Sequence, residues 1–132
     1  MIKFFFSLCI LMFFSCATLT DIRLIDRFDK VAESYESAIK WSDFDKADSF
    51  ISKQNPKKKL ILPDKKFLKK IQITSYELQN RKIHTEKSMV EQTVEIKYYN
   101  TDYLVEKVVE DNQIWIYESN SWQLSTGLPA FE

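Results

Sequence analysis

Glycine occurs once in this 132-residue chain, at Gly127. Phosphate-cradling loops need several glycines where the backbone approaches a ligand, so dinucleotide fingerprints and P-loops are excluded. Cysteine occurs twice, at Cys9 and Cys16, and histidine once, at His84. That supply is too small for a structural zinc site, and no metal is expected. An excess of charge of one sign is also missing: nineteen basic side chains balance nineteen acidic ones. There is therefore no whole-molecule case for nucleic acid as a partner. Nor is there the run of about 20 apolar residues that a membrane-crossing helix needs.

What the chain does have is a shorter apolar run near its start. Lys3 precedes residues 4–14 (FFFSLCILMFF), eleven residues without a charge. That length fits the apolar region of a secretory signal, about 7–15 residues, followed by small residues at a cleavage site. The structural alternative is a buried N-terminal core segment, but three consecutive phenylalanines beside a lone lysine suit a leader better.

Ser15-Cys16-Ala17 then resembles the lipobox of bacterial lipoproteins, with Phe13 where the usual box carries leucine. The resemblance implies that Cys16 is acylated and becomes the first residue of the mature chain. It also implies two or three fatty chains. One myristoyl-length chain binds a bilayer only reversibly, with about 0.8 kcal/mol per buried methylene, so several would hold permanently. Ala17 in place of aspartate implies the outer membrane, on its periplasmic or surface side. The competing reading is ordinary cleavage near Ala17, leaving a free exported protein. The expected organisation is a leader over residues 1–15, a lipidated tether over 16–20 and one domain over 21–132.

Removing the leader leaves 132 − 15 = 117 residues, the size of one ordinary domain. Such a chain buries about two-thirds of its unfolded surface. Cys9 leaves with the leader and lipid occupies Cys16, so stability has to come from packing. Ile22, Ile25, Phe28, Ala32, Tyr35 and Ile39 fall three or four apart, which predicts one long helix. A shorter helix is expected from Asp43, with Ser42 as its cap and Phe44, Ala47, Phe50 and Ile51 inward. Between Pro56 and Pro63 lies a linker, and "DKKFLKK" suits one or two further helical turns.

Beyond Ile71 the period becomes two and β-branched and aromatic residues dominate. "IQITSYELQ", "SMVEQTVEIKYY", "YLVEKVVED", "QIWIYES" and "WQLST" each read as strands. Turns are expected at Asn80-Arg81, Asn100-Thr101, Asp111-Asn112 and Ser119-Asn120-Ser121. Helices first and an antiparallel meander afterwards make an α+β fold. The tandem helices around "AIKWSDFDKADSFI", the short helix before "KIQITSYEL" and the terminal "IWIYESNSWQLSTGLPAF" resemble the nuclear transport factor 2-like superfamily over roughly residues 22–131. That resemblance implies a cone: a curved antiparallel sheet wrapped around N-terminal helices. It carries no catalytic motif and so implies shape more than activity.

Alternate residues of a strand face opposite ways, so Trp115 and Tyr117 share a face opposite Ile114 and Ile116. Two strands look apolar on both faces, and in the resembled superfamily the outer face commonly pairs with another subunit. Trp115 and Tyr117 are therefore the expected face of a homodimer or of an envelope protein contact, set against plain surface aromatics.

Enzymes of that superfamily use carboxylates, tyrosines or histidines in an apolar pocket, where burial tunes pKa for acid–base work. Candidates for such a pocket, which would take a small ligand, are Tyr35, Asp43, Asp45, His84 and Tyr98. Each has a structural alternative. Asp43 and Asp45 stand at a helix start, where a carboxylate favours the dipole; His84 lies in the turn-like "NRKIHTEK" and reads as exposed; Tyr35 lies on the helical stripe. Lys57, Lys58, Lys59, Lys65, Lys66, Lys69 and Lys70 place seven positive charges in fourteen residues. They form a patch for anionic headgroups or a protein partner, or simply a solvated linker. The sequence as a whole reads as a lipid-anchored envelope protein, a non-catalytic binding or assembly module without a cofactor. The alternative is a small isomerase- or dehydratase-like acid–base enzyme working inside the cone.

Overall fold

The stripe of apolar residues that opens the domain forms a helix, α1 (Cys16–Lys40). The computed structural model describes residues 16–54 and 64–132, with side chains from Asp21 onward. The leader and Lys57, Lys58 and Lys59 lie outside the described residues. Phe28, Ala32, Tyr35 and Ile39, at the four-three-four spacing that sets one stripe on a helix, make the buried face of α1 together with Ala38. Ile22, near the start of α1, is 64% exposed. The helix already begins at Cys16, so the stretch expected as a tether is helical.

Among the described residues two short helices follow, α2 (Phe44–Asp48) and α3 (Lys65–Leu68). Asp43 caps α2, its carboxylate accepting from the Lys46 amide at 3.1 Å. Ser42, expected in that role, instead takes a left-handed conformation (φ 55°) and donates its hydroxyl to the Ile71 carbonyl at 2.8 Å. Asp64 caps α3 in the same way as Asp43 caps α2, accepting from Lys66 N at 3.0 Å.

The second half is a four-stranded antiparallel sheet in the order β1 (Ile71–His84), β2 (Met89–Asn100), β3 (Glu106–Glu118) and β4 (Ser121–Leu124). Residue 51, after α2, adds a single parallel bridge to Leu124. Two of the expected turns are absent. Asn80-Arg81 lies within β1, which runs on to His84, and Asp111-Asn112 lies within β3, so "YLVEKVVED" and "QIWIYES" are largely one strand. The polar pairs stay extended because cross-strand neighbours satisfy them: Thr93 Oγ1 donates to Asn112 Oδ1 at 2.9 Å, and Arg81 Nε donates to Gln92 Oε1 at 3.0 Å. Register shifts between Ile73 and Ser75 and between Leu78 and Asn80 insert bulges into β1. Bulges bend a strand and increase its twist, which is how a sheet of four strands curves over α1.

The scarcity of glycine leaves a mark on the turns. Ser42, Ser88, Leu104, Ser119 and Asn120 all take positive φ. Ser119 and Asn120 (φ 51° and 62°) form a two-residue hairpin turn of the primed kind that matches strand twist. Leu104 at φ 54° is the unusual one, since a bulky side chain there costs about 1 kcal/mol.

Between α1 and the concave face of the sheet lies an aromatic core. Trp115 receives Phe28, Tyr35 and Phe50 edge-on, at centroid distances of 5.9, 5.3 and 6.4 Å. Trp122 packs on Phe28 at 5.1 Å, and its indole N–H donates to the Leu24 carbonyl at 3.1 Å. Edge-to-face pairs contribute about 0.5–1.5 kcal/mol each beyond area burial, and here they join the helix to β3 and β4. The result is an α+β fold, compatible with a nuclear transport factor 2-like cone.

Candidate functional site

The expected pocket residues do not converge. Tyr35 is fully buried in the core, Asp43 is an exposed helix cap, and Asp45 is exposed in the first turn of α2. Tyr98 fastens the end of the chain: its hydroxyl accepts from the Glu132 amide at 2.9 Å and its ring meets Phe131 at 4.8 Å. His84 is half-buried at the end of β1, 3.3 Å from Glu91, and not in an exposed turn. Along β2, His84 lies opposite Met89 whereas Tyr98 is nine residues further on, a separation of about 30 Å at strand rise.

Nor do Trp115 and Tyr117 form an outward face. Trp115 has no exposure, and Tyr117 packs on Trp122 at 5.5 Å while its hydroxyl accepts from Arg27 at 3.2 Å. The correction has a simple cause. The alternation was right, but α1 covers the side that carries the tryptophan, and Ile114 and Ile116 are left half-buried on the other. Lys65, Lys66, Lys69 and Lys70 are all exposed, as their density suggested.

What the fold does bring together is a set of polar side chains on the concave face, just beyond the aromatic core. Asp111 and Gln113 precede Trp115 on the same side of β3; Tyr76 and Arg81 come from β1, and Gln92 from β2. Gln113 is the hub. Its amide N–H groups donate to Asp111 Oδ2 at 2.8 Å and to the Tyr76 hydroxyl at 3.1 Å. Its carbonyl oxygen accepts from Gln92 Nε2 at 2.8 Å and from Trp115 Nε1 at 3.0 Å. Arg81 continues the chain outward, donating to Gln92 and, at 3.1 Å, to Asp29 on α1, with its guanidinium 5.0 Å above the Phe28 ring. Every amide orientation in the set follows from its neighbours, so the network is rigid.

Burial decides the electrostatics. It raises the Asp111 carboxyl to about 6, against the lowering effect of the Gln113 hydrogen bond. Burial likewise pushes the Tyr76 phenol up. Tyr35 is raised well above the ordinary tyrosine value, first by burial and then by the nearby Asp111 carboxylate, and among the described residues its buried hydroxyl has no hydrogen-bond partner. A carboxyl that titrates near 6 beside two phenols is the kind of group that can take or give a proton near neutral pH.

Access is the weaker half of this chemistry. A cleft of about 210 Å³ opens above the network, lined by Asp29, Glu33, Glu36, Tyr76, Arg81 and Gln92 among others. It reaches Tyr76 and Gln92 but is not lined by Asp111, which is only 6% exposed. A wider groove of about 510 Å³ runs between the segment after α2 and the β3–β4 hairpin, with Phe50, Lys53, Glu118 and Trp122 in its walls. Among the described residues, no three His, Cys, Asp or Glu side chains are grouped to hold a metal ion.

Sequence reasoning missed Asp111, Gln113, Tyr76 and Gln92. The signal for two of them was present in parity: Asp111 and Gln113 stand four and two residues before Trp115 and so share its face. No family model matches this chain, and neither the curated proteins nor the solved structures contain a match.

Proposed function

We propose that this protein is an exported lipoprotein, held to the outer membrane of a bacterial envelope through fatty chains on Cys16, and that it works as a non-catalytic binding or assembly module. The observation that carries the second half is the filling of the cone. Phe28, Tyr35 and Trp115 occupy the space between α1 and the sheet with no exposure of their own. A body whose interior is taken up by its own side chains acts through its surface. The first half rests on the apolar run of residues 4–14 and on the Ser15-Cys16-Ala17 pattern. Labelled palmitate supplied to the producing cell tests it: label should enter the full chain and be lost in Cys16→Ser. Label retained by that variant would exclude this site of attachment.

One observation favours the other reading, a small acid–base enzyme: a buried carboxyl that titrates at about 6 acts electrostatically on the Tyr35 hydroxyl, which has no hydrogen-bond partner among the described residues. In that case Asp111 is the proton-transfer group and Tyr76, at the cleft wall, the donor to the ligand. A substrate-sized probe that binds the full chain and is displaced by Tyr76→Phe, with the fold intact by circular dichroism, would move the balance to chemistry.

A further inference from the structure

The direction of the buried hydrogen bonds fixes what the cleft beside them offers. Trp115 sets it, because an indole N–H can only donate. It donates to Gln113 at 3.0 Å, so the atom facing it is the Gln113 carbonyl oxygen. The Gln113 amide nitrogen then faces Asp111 and Tyr76, and the Tyr76 hydroxyl accepts from it at 3.1 Å. A phenol oxygen that accepts in this way still has its own proton to give, and no acceptor among the described residues takes it. Gln92 is oriented by the same chain of bonds. Its nitrogen gives one proton to Gln113 at 2.8 Å, its oxygen accepts from Arg81 at 3.0 Å, and a second amide proton remains. Tyr76 and Gln92 both line the cleft of about 210 Å³. The sheet side of that cleft thus carries donors that lack an acceptor.

The helix side is the opposite. Asp29, Glu33 and Glu36 follow one another at steps of four and three along α1 and line the same cleft. Arg81 bonds to Asp29 at 3.1 Å and Lys40 to Glu36 at 3.1 Å, while Glu33 is exposed and has no ion pair among the described residues. Three carboxylates against two cations leave these walls one charge negative, and Asp111 behind the network adds to that when ionised. An anion is therefore disfavoured. A simple cation could meet Glu33, but it has no lone pair for the Tyr76 proton.

We propose that this cleft binds a small uncharged carboxamide, its carbonyl oxygen accepting from Tyr76 and its N–H donating to Glu33. A carboxamide holds an acceptor and a donor side by side in one plane, which matches a donor wall facing an acceptor wall. The space is smaller than the roughly 300 Å³ at which drug-sized pockets begin, so the ligand is a short compound. The proposal requires binding without turnover and rests on the reading of the chain as a binding module.

Titration of the full, isotopically labelled chain with N-acetylglycinamide, followed by heteronuclear NMR, tests this. The Trp115 indole resonance is the reporter, since Gln113 joins it to Tyr76; the Trp122 indole, bonded to the Leu24 carbonyl, is the internal control. The Trp115 resonance should shift saturably, with a dissociation constant on the order of 1–10 mM for so small a ligand. Acetate, which has the acceptor but adds charge and lacks the N–H, should leave it unmoved at equal ionic strength. Tyr76→Phe should raise the constant about tenfold, the effect of one hydrogen bond. Glu33→Gln, at an exposed position that carries no part of the fold, should raise it about threefold as a charged acceptor becomes neutral. An unshifted Trp115 resonance, an equal shift with acetate, or unchanged amide affinity in either variant would overturn the proposal; should Tyr76→Phe not fold, Glu33→Gln decides. Such a failure leaves a module that acts through another part of its surface. Free acetate released from the probe would instead support the site and refute the non-catalytic reading.

Discussion

Replacing Asp111 by Asn should make the protein more stable at neutral pH and leave it unchanged in acid. The carboxyl is 6% exposed and titrates at about 6, above its ordinary 3.8, because burial disfavours its charged form. The native state therefore holds the proton more tightly than the unfolded chain does. Stability from this group is fully present below about pH 4 and is lost as pH rises through about 6. The gap between 3.8 and about 6 corresponds to roughly 3 kcal/mol at pH 7. Asparagine has the shape of the neutral acid and keeps an oxygen for the Gln113 amide, which donates at 2.8 Å in the native protein. Urea unfolding of both proteins at several values between pH 4 and pH 8 would measure this. Other titrating groups cancel in the difference, provided they lie outside the network. The difference should grow from near zero at pH 4 to a few kcal/mol in favour of the variant at pH 7. A difference that stays flat with pH, or that favours the native protein at pH 7, would refute the account of a carboxylate held in place against its solvation.

The other expectations are simpler. Trp115→Ala empties the centre of the aromatic cluster and should cost about 3–5 kcal/mol in urea unfolding. Asp43→Ala removes the α2 cap and should cost about 1 kcal/mol, with the circular dichroism of the folded protein unchanged. Leu104→Gly should be neutral or add up to about 1 kcal/mol, because glycine accepts φ 54° without strain and the lost side chain is exposed. A clear loss of stability there would mean that Leu104 packs against something in the folded state.

The sequence carried the helix and the tryptophan parity because both are patterns that burial enforces directly. Phe28, Ala32, Tyr35 and Ile39 can face one neighbour only if the chain is helical, and they do. The errors share a different origin. Asp111-Asn112 and Asn80-Arg81 have the composition of turns, and composition is a local property. Their partners come from elsewhere: Thr93 on β2 for Asn112, Gln92 on β2 and Asp29 on α1 for Arg81. A hydrogen bond across 19 or 52 residues cannot be read from a window of four. The same misreading hid the candidate site, since a residue assigned to a turn was placed at the surface, outside the concave face. Once β3 is continuous, Asp111 and Gln113 fall on the side of Trp115, and a carboxylate next to a buried tryptophan has to be bonded or neutral. The structure shows it bonded through Gln113 and raised toward neutrality by burial. Polar residues that interrupt a strand of otherwise good period are thus ambiguous in a specific way. They mark either the end of the strand or the one place where the core is not apolar, and only the registry with the neighbouring strand decides between the two.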